Sequence, residues 1–150
     1  MTTDQQCARE ELDNQHATCV LCQHGHIRLS HQTGIRPLVE WLAEDPDSLR
    51  GAAVADKIIG KAAALLLVYG GIACVHAGVL SEGGQAVLLA HGVSFTYDQL
   101  TPWIRNRQGT GMCPMEQRVQ TIDDPAQAFQ VLSQAIGIHL GSDSRESPTI

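Results

Sequence analysis

Two short stretches carry residue types that could do chemistry. Asp56-Lys57 precedes a strongly apolar run, and Asn106-Arg107-Gln108-Gly109-Thr110-Gly111-Met112-Cys113-Pro114-Met115-Glu116 feeds a Gly-Thr-Gly loop into a proline. Both read as helix starts, where unpaired N–H groups and a partial positive charge receive anions. Asp56 reads as an N-cap or as an acid/base, and Lys57 opposes the helix dipole unless a phosphate or carboxylate accompanies it. Gly109, Thr110 and Gly111 let backbone approach a ligand, with Arg105, Asn106 and Arg107 beside them. Cys113 falls at a cap, where the dipole and Arg107 would stabilise a thiolate, and Glu116 lies three residues on. Two functions follow. One is binding of a small anionic ligand such as a nucleotide or ADP-ribose derivative. The other is nucleophilic catalysis by Cys113 with Lys57, Glu116 and Asp56 assisting. The plainer alternative is a solvated Lys57 with Asp56 and Glu116 serving their own helices.

Taken together, Ala55-Asp56-Lys57-Ile58-Ile59-Gly60-Lys61-Ala62-Ala63-Ala64 and Arg107 to Glu116 resemble the DUF1893 family, a divergent branch of the cytidine-deaminase-like fold. The resemblance spans about residues 18 to 137. It implies a three-layer α/β/α sandwich with a mixed central sheet and a deaminase-type pocket. Zinc deaminases use a helix-start H-x-E and a second helix start, P-C-x-x-C. Against that pattern Asp56-Lys57-Ile58 stands in for H-x-E, and Cys113-Pro114-Met115-Glu116 for C-x-x-C. The histidine, one thiolate and the shuttle glutamate are missing. An Asp/Cys/Glu set beside Lys57 suits zinc poorly, so no metal or other cofactor is expected and base deamination ranks last.

Cys19-Val20-Leu21-Cys22 with His24 and His26 has the text of a metal motif. On a strand, however, the two cysteines point to opposite faces, which favours buried strand thiols. His16, His31, His76, His91 and His139 show no ligand spacing. Trp41 and Trp103 read as packing residues, although Trp103 lies close to Arg105 and could line the pocket.

The elements that must position these residues alternate. Thr18 to Leu21 and Ile27 to Ser30 read as strands joined at Gly25. A helix follows from Pro37 to Glu44, stopped at Asp45-Pro46-Asp47. Gly51 to Ala55 is a short buried strand, and Ile58 to Tyr69 a helix apolar on nearly all sides, ended by Gly70-Gly71. Ile72 to Ala77 and Val93 to Tyr97 read as strands flanking a helix from Gln85 to His91. Helices from Pro114 to Val119 and from Pro125 to Ala135 complete an α/β domain with helices on both faces of its sheet. Residues 1–16 form a polar lead-in, 17–140 the domain, and 141–150 a disordered tail.

Composition narrows the function classes. The chain has 150 residues, 43% of them apolar and 17% charged, which is globular. A net charge of −6 argues against a nucleic-acid partner, because duplex binding needs an excess of Lys and Arg. The longest apolar stretch, Ala62 to Val68, is too short to span a bilayer. With no recognisable targeting signal and an odd number of cysteines, the expectation is a cytoplasmic protein with reduced thiols and no membrane partner; association into a homo-oligomer fits small domains of this type.

Overall fold

A computed structural model describes residues 3–106 and 108–138; Arg107, His139, Leu140 and the expected tail at 141–150 lie outside the described residues. The chain is a mixed α/β protein built on one open five-stranded sheet, ordered β2-β1-β3-β4-β5. The strands are β1 (Cys19–Gln23), β2 (His26–Ser30), β3 (Ala53–Ile59), β4 (Cys74–Ser81) and β5 (Ser94–Thr101). β1 pairs antiparallel with both β2 and β3, whereas β3, β4 and β5 run parallel. The turn between β1 and β2 places His24 and Gly25 at φ +52° and +81°, the paired positive angles of a tight two-residue hairpin.

The helices are α1 (Thr3–Asn14), α2 (Arg36–Glu44), α3 (Lys61–Gly70), α4 (Glu82–Ala90), α5 (Pro114–Arg118) and α6 (Pro125–Ala135). The polar run at the start of the chain is a regular helix. Ala8 and Leu12 of α1 are buried against Val20, Cys22 and Ala55 on one face of the sheet. The opposite face carries the main core, where Cys19, Leu21, Val54 and Val75 meet α2, α3 and α6. Cys19 and Cys22 thus lie on opposite faces, as strand alternation requires. Ala62 to Leu67 of α3 are all buried, and each leucine there is worth roughly 1.5–3 kcal/mol of burial.

The central elements begin and end elsewhere than the sequence pattern implies. β3 runs through Asp56-Lys57-Ile58-Ile59, and α3 starts only at Lys61 with Gly60 as its N-cap. The helical period of Ile58, Ile59 and Ala62 is overridden by parallel pairing of Ile58 and Ile59 with Val79 and Leu80. β4 continues past Gly78 to Ser81, and α4 takes Gly83 and Gly84 into its first turn. β5 extends to Thr101, beyond the expected stop at Tyr97.

One irregularity recurs in β3 and β4. Val54 and Ile59 both reach the main core, as do Val75 and Leu80, while Ala55 faces α1. Strict alternation forbids a five-residue step on one face, so each strand changes face at Lys57-Ile58 or Gly78-Val79. Gly78 has no room for a side chain, since a Cβ would lie 2.7 Å from the Lys57 carbonyl oxygen. Among the described residues no helix is long and apolar enough to cross a membrane.

Candidate functional site

The carboxyl ends of β3 and β4 hold the candidate site, because both strands turn there into helices whose starts touch. A Cβ on Gly84 would come 3.0 Å from the Gly60 carbonyl oxygen, tighter than ordinary contact, so glycine lets α3 and α4 begin this close together without a shift of backbone. Ser81 caps α4, its hydroxyl accepting the Gly84 N–H at 2.9 Å. The start of α3 is capped from far along the chain. The Glu116 carboxylate accepts the Lys61 N–H at 2.7 Å and the Ala62 N–H at 2.8 Å. Burial raises the Glu116 pKa, opposed by these two amide bonds and by the Lys61 charge. Lys61 folds over the junction, its Nζ 3.1 Å from both the Asp123 carboxylate and the Gln120 carbonyl.

This arrangement corrects the expected pairing of helix starts. The two that meet belong to α3 and α4, and α5 contributes a side chain. Neither meeting start, Gly60-Lys61-Ala62 or Ser81-Glu82-Gly83-Gly84, carries a histidine or cysteine. Among the described residues no group of three or more His, Cys, Asp or Glu is placed to hold a metal ion.

Asp56 and Lys57 are strand residues, which removes their expected roles at a helix start. Asp56 is buried; its Oδ1 accepts the Ile58 N–H at 3.1 Å, and the Cys19 thiol donates to it. Burial pushes its pKa up to about 7 against those hydrogen bonds. The Cys19 thiol is raised well above its ordinary value by burial and by the neighbouring Asp56 charge. Lys57 is exposed, with its backbone N–H donating to the Thr18 carbonyl. No hydrogen bond or ion pair among the described residues joins Lys57 to Cys113 or Glu116.

The loop after β5 closes on itself. Arg105 and Met112 form an antiparallel bridge, and the Cys113 N–H donates to the Ile104 carbonyl at 2.9 Å. At the tip, the Thr110 N–H donates to Asn106 Oδ1 at 3.0 Å, and Asn106 Nδ2 donates to Thr110 Oγ1 at 3.2 Å. Gly109 takes a positive φ of +72° and donates its N–H to the Asn106 carbonyl. The backbone N–H groups of Gly109 and Thr110 and one N–H of the Asn106 side chain, expected to cradle a ligand, are therefore engaged within the loop. Cys113 caps the one-turn α5 without a side-chain hydrogen bond and is half-buried. Arg105 lies over the exposed Trp103 ring at 5.5 Å, presenting a cation and an aromatic face together.

Sequence reasoning missed two clusters under α1. Buried His76 on β4 has Nδ1 2.7 Å from Thr96 Oγ1 and Nε2 3.5 Å from Asp98, which also pairs with Arg9. Burial lowers the His76 pKa, with Arg9 adding to this and Asp98 opposing it. In the second cluster, Asp4 accepts the His24 and Gly25 N–H groups and the Cys22 thiol. Both depend on which strands α1 covers, and no spacing in the sequence reports that.

The family model described as TM1506, domain of unknown function (DUF1893), matches residues 7–136. Among solved structures, the chain is similar to a DUF1893 family protein (TM1506) from Thermotoga maritima. The two share 29% identity and a TM-score of 0.82 over 90% of this chain and 92% of that one. A search of curated proteins finds no match. The motifs around Gly60 and Glu116, the fold and both matches agree: this chain belongs to the DUF1893 family.

Proposed function

We propose that this chain is a small-molecule-binding domain with a remodelled deaminase-type pocket that takes a nucleotide-like or other anionic ligand. The observation that carries this reading is the Arg105 guanidinium over the exposed Trp103 ring, while the Glu116 carboxylate already occupies the Lys61 and Ala62 amides. The protein's own anion fills the helix start that a deaminase gives to its catalytic centre, so deamination chemistry has no room there. Both starts also lack soft metal ligands. Ligands of open α/β sheets bind outside the carboxyl ends of parallel strands. In this chain that rim carries exposed Lys57 and Ile58 and the loop with Arg105 stacked on Trp103. A base or ribose against Trp103 and a phosphate on Arg105 suit that pair. The layering of α1 on one sheet face and α2, α3 and α6 on the other supports the deaminase-like three-layer arrangement.

Thermal-shift measurements across nucleotides, ADP-ribose derivatives and inorganic phosphate test the reading. At least one nucleotide should raise the wild-type Tm by about 3 °C or more at saturating concentration and lose that effect in Arg105→Ala. A panel in which nothing shifts the wild type more than the variant overturns it.

A further inference from the structure

We propose that Cys7 and Cys22 form a reversible disulfide that fastens α1 to the sheet, with a peroxide or a small-molecule disulfide as the oxidant. Cys7, on α1, packs half-buried against the cluster that contains Cys22 of β1. Asp4, one turn earlier on the same helix, fixes the register: its Oδ1 is 3.6 Å from Cys22 Sγ. Residues three apart on a helix are neighbours, so the contact at Asp4 brings Cys7 to the same thiol. Burial first, and then the neighbouring Cys7 and Asp4, push the Cys22 thiol up to about 12. Cys22 is fully buried and Cys7 half-exposed, which orders the chemistry.

Peroxide meets Cys7 first, and the O–O bond breaks as the Cys7 sulfur becomes a sulfenic acid and one water leaves. The Cys22 sulfur then attacks the Cys7 sulfur. Its proton passes by way of the Asp4 carboxylate, the S–S bond forms and a second water leaves. In sum, two thiols and one peroxide give one disulfide and two waters, with two electrons moving from sulfur to oxygen. With a small-molecule disulfide, Cys7 forms the mixed disulfide and Cys22 expels the thiol.

The consequence is mechanical. α1 covers the face holding His76, and with Asp4 and Gln5 it walls a cavity of about 710 Å³ lined also by Cys74, Ser94 and Thr96. In the dithiol chain that wall is held by packing and hydrogen bonds alone, and oxidation adds a covalent tie to it.

The full reduced chain is treated with equimolar peroxide, then followed by intact mass, peptide mapping and amide exchange. Expected are the loss of two hydrogens, a Cys7–Cys22 cross-linked peptide and a Tm rise of about 5 °C or more, all reversed by dithiothreitol. Exchange across α1 should slow by about tenfold or more. Cys7→Ser should abolish the mass change, and Cys22→Ala should accumulate a dimedone-reactive sulfenic acid at Cys7. A cross-link through another cysteine, or no loss of hydrogens from the wild type, overturns the disulfide. An intact cross-link with unchanged α1 exchange overturns the fastening.

Discussion

Glu116 occupies the space that a side chain on Gly60 would need: an ideal Cβ at Gly60 would overlap the Glu116 carboxylate. The missing side chain is what lets α5 cap α3. Gly60→Ala should therefore expel the carboxylate and leave the Lys61 and Ala62 amides bare, costing about 2–4 kcal/mol in urea unfolding. Glu116→Ala should cost a similar amount. The double variant should lose little more than either single one, because the second change removes nothing that remains. Additive losses would contradict the pairing.

Asp56 should make the protein more stable in mild acid. Its folded pKa of about 7 lies above its unfolded value of 3.8, so the folded state holds the extra proton between those limits. Stability from this group is full below the unfolded value and is lost as pH rises to about 7, amounting to roughly 4 kcal/mol over the window. Urea midpoints measured across that range should show the decline in wild type and a smaller one in Asp56→Asn. Glu116, raised in the same direction, leaves part of the slope in the variant. Equal slopes in the two proteins would remove Asp56 as the source.

His76 reports on the contact between α1 and β5. Arg9 lowers its pKa and Asp98 raises it, with burial lowering it most. Arg9→Ala should move the imidazole titration, followed by NMR, toward the ordinary histidine value, and Asp98→Asn should move it further down. Opposite movements would mean that the Arg9–Asp98–His76 chain is absent in solution.

Asn106 holds the loop through both ends of its amide. Asn106→Ala should speed amide exchange at Thr110 by about tenfold or more, with a stability change near 0.5 kcal/mol because the site is exposed. Unchanged exchange would show that the backbone bonds alone close the loop.

Much of the frame was legible in the residues. The hairpin at Gly25, the buried helix ending at Gly70-Gly71 and the last helix at Asp124-Pro125 all follow local chemistry that tertiary packing left alone. The start of α3 was not, because Asp56-Lys57 before an apolar run has the text of a cap, whereas strand pairing decided the matter. Gly78 and Gly84 fall just outside the strand ending at Ala77 and the helix starting at Gln85 that the pattern suggests, yet close approach of backbone is what they supply. Glu116 was read at its own helix start, whereas its carboxylate caps another helix. A carboxylate in a first turn satisfies its own dipole by default, and nothing local shows that it serves amides 54 and 55 residues back.

The change of face shared by β3 and β4 limits how this sequence can drift. Lys57-Ile58 and Gly78-Val79 are matched steps in adjoining strands, so deleting one residue from one strand alone leaves a regular strand beside an irregular one, offsets Ile59 from Leu80 and shears Gly60 from Gly84. Length changes can be tolerated only in pairs, one in each strand. In descendants of this chain the two segments should gain or lose residues together, even as their individual side chains vary.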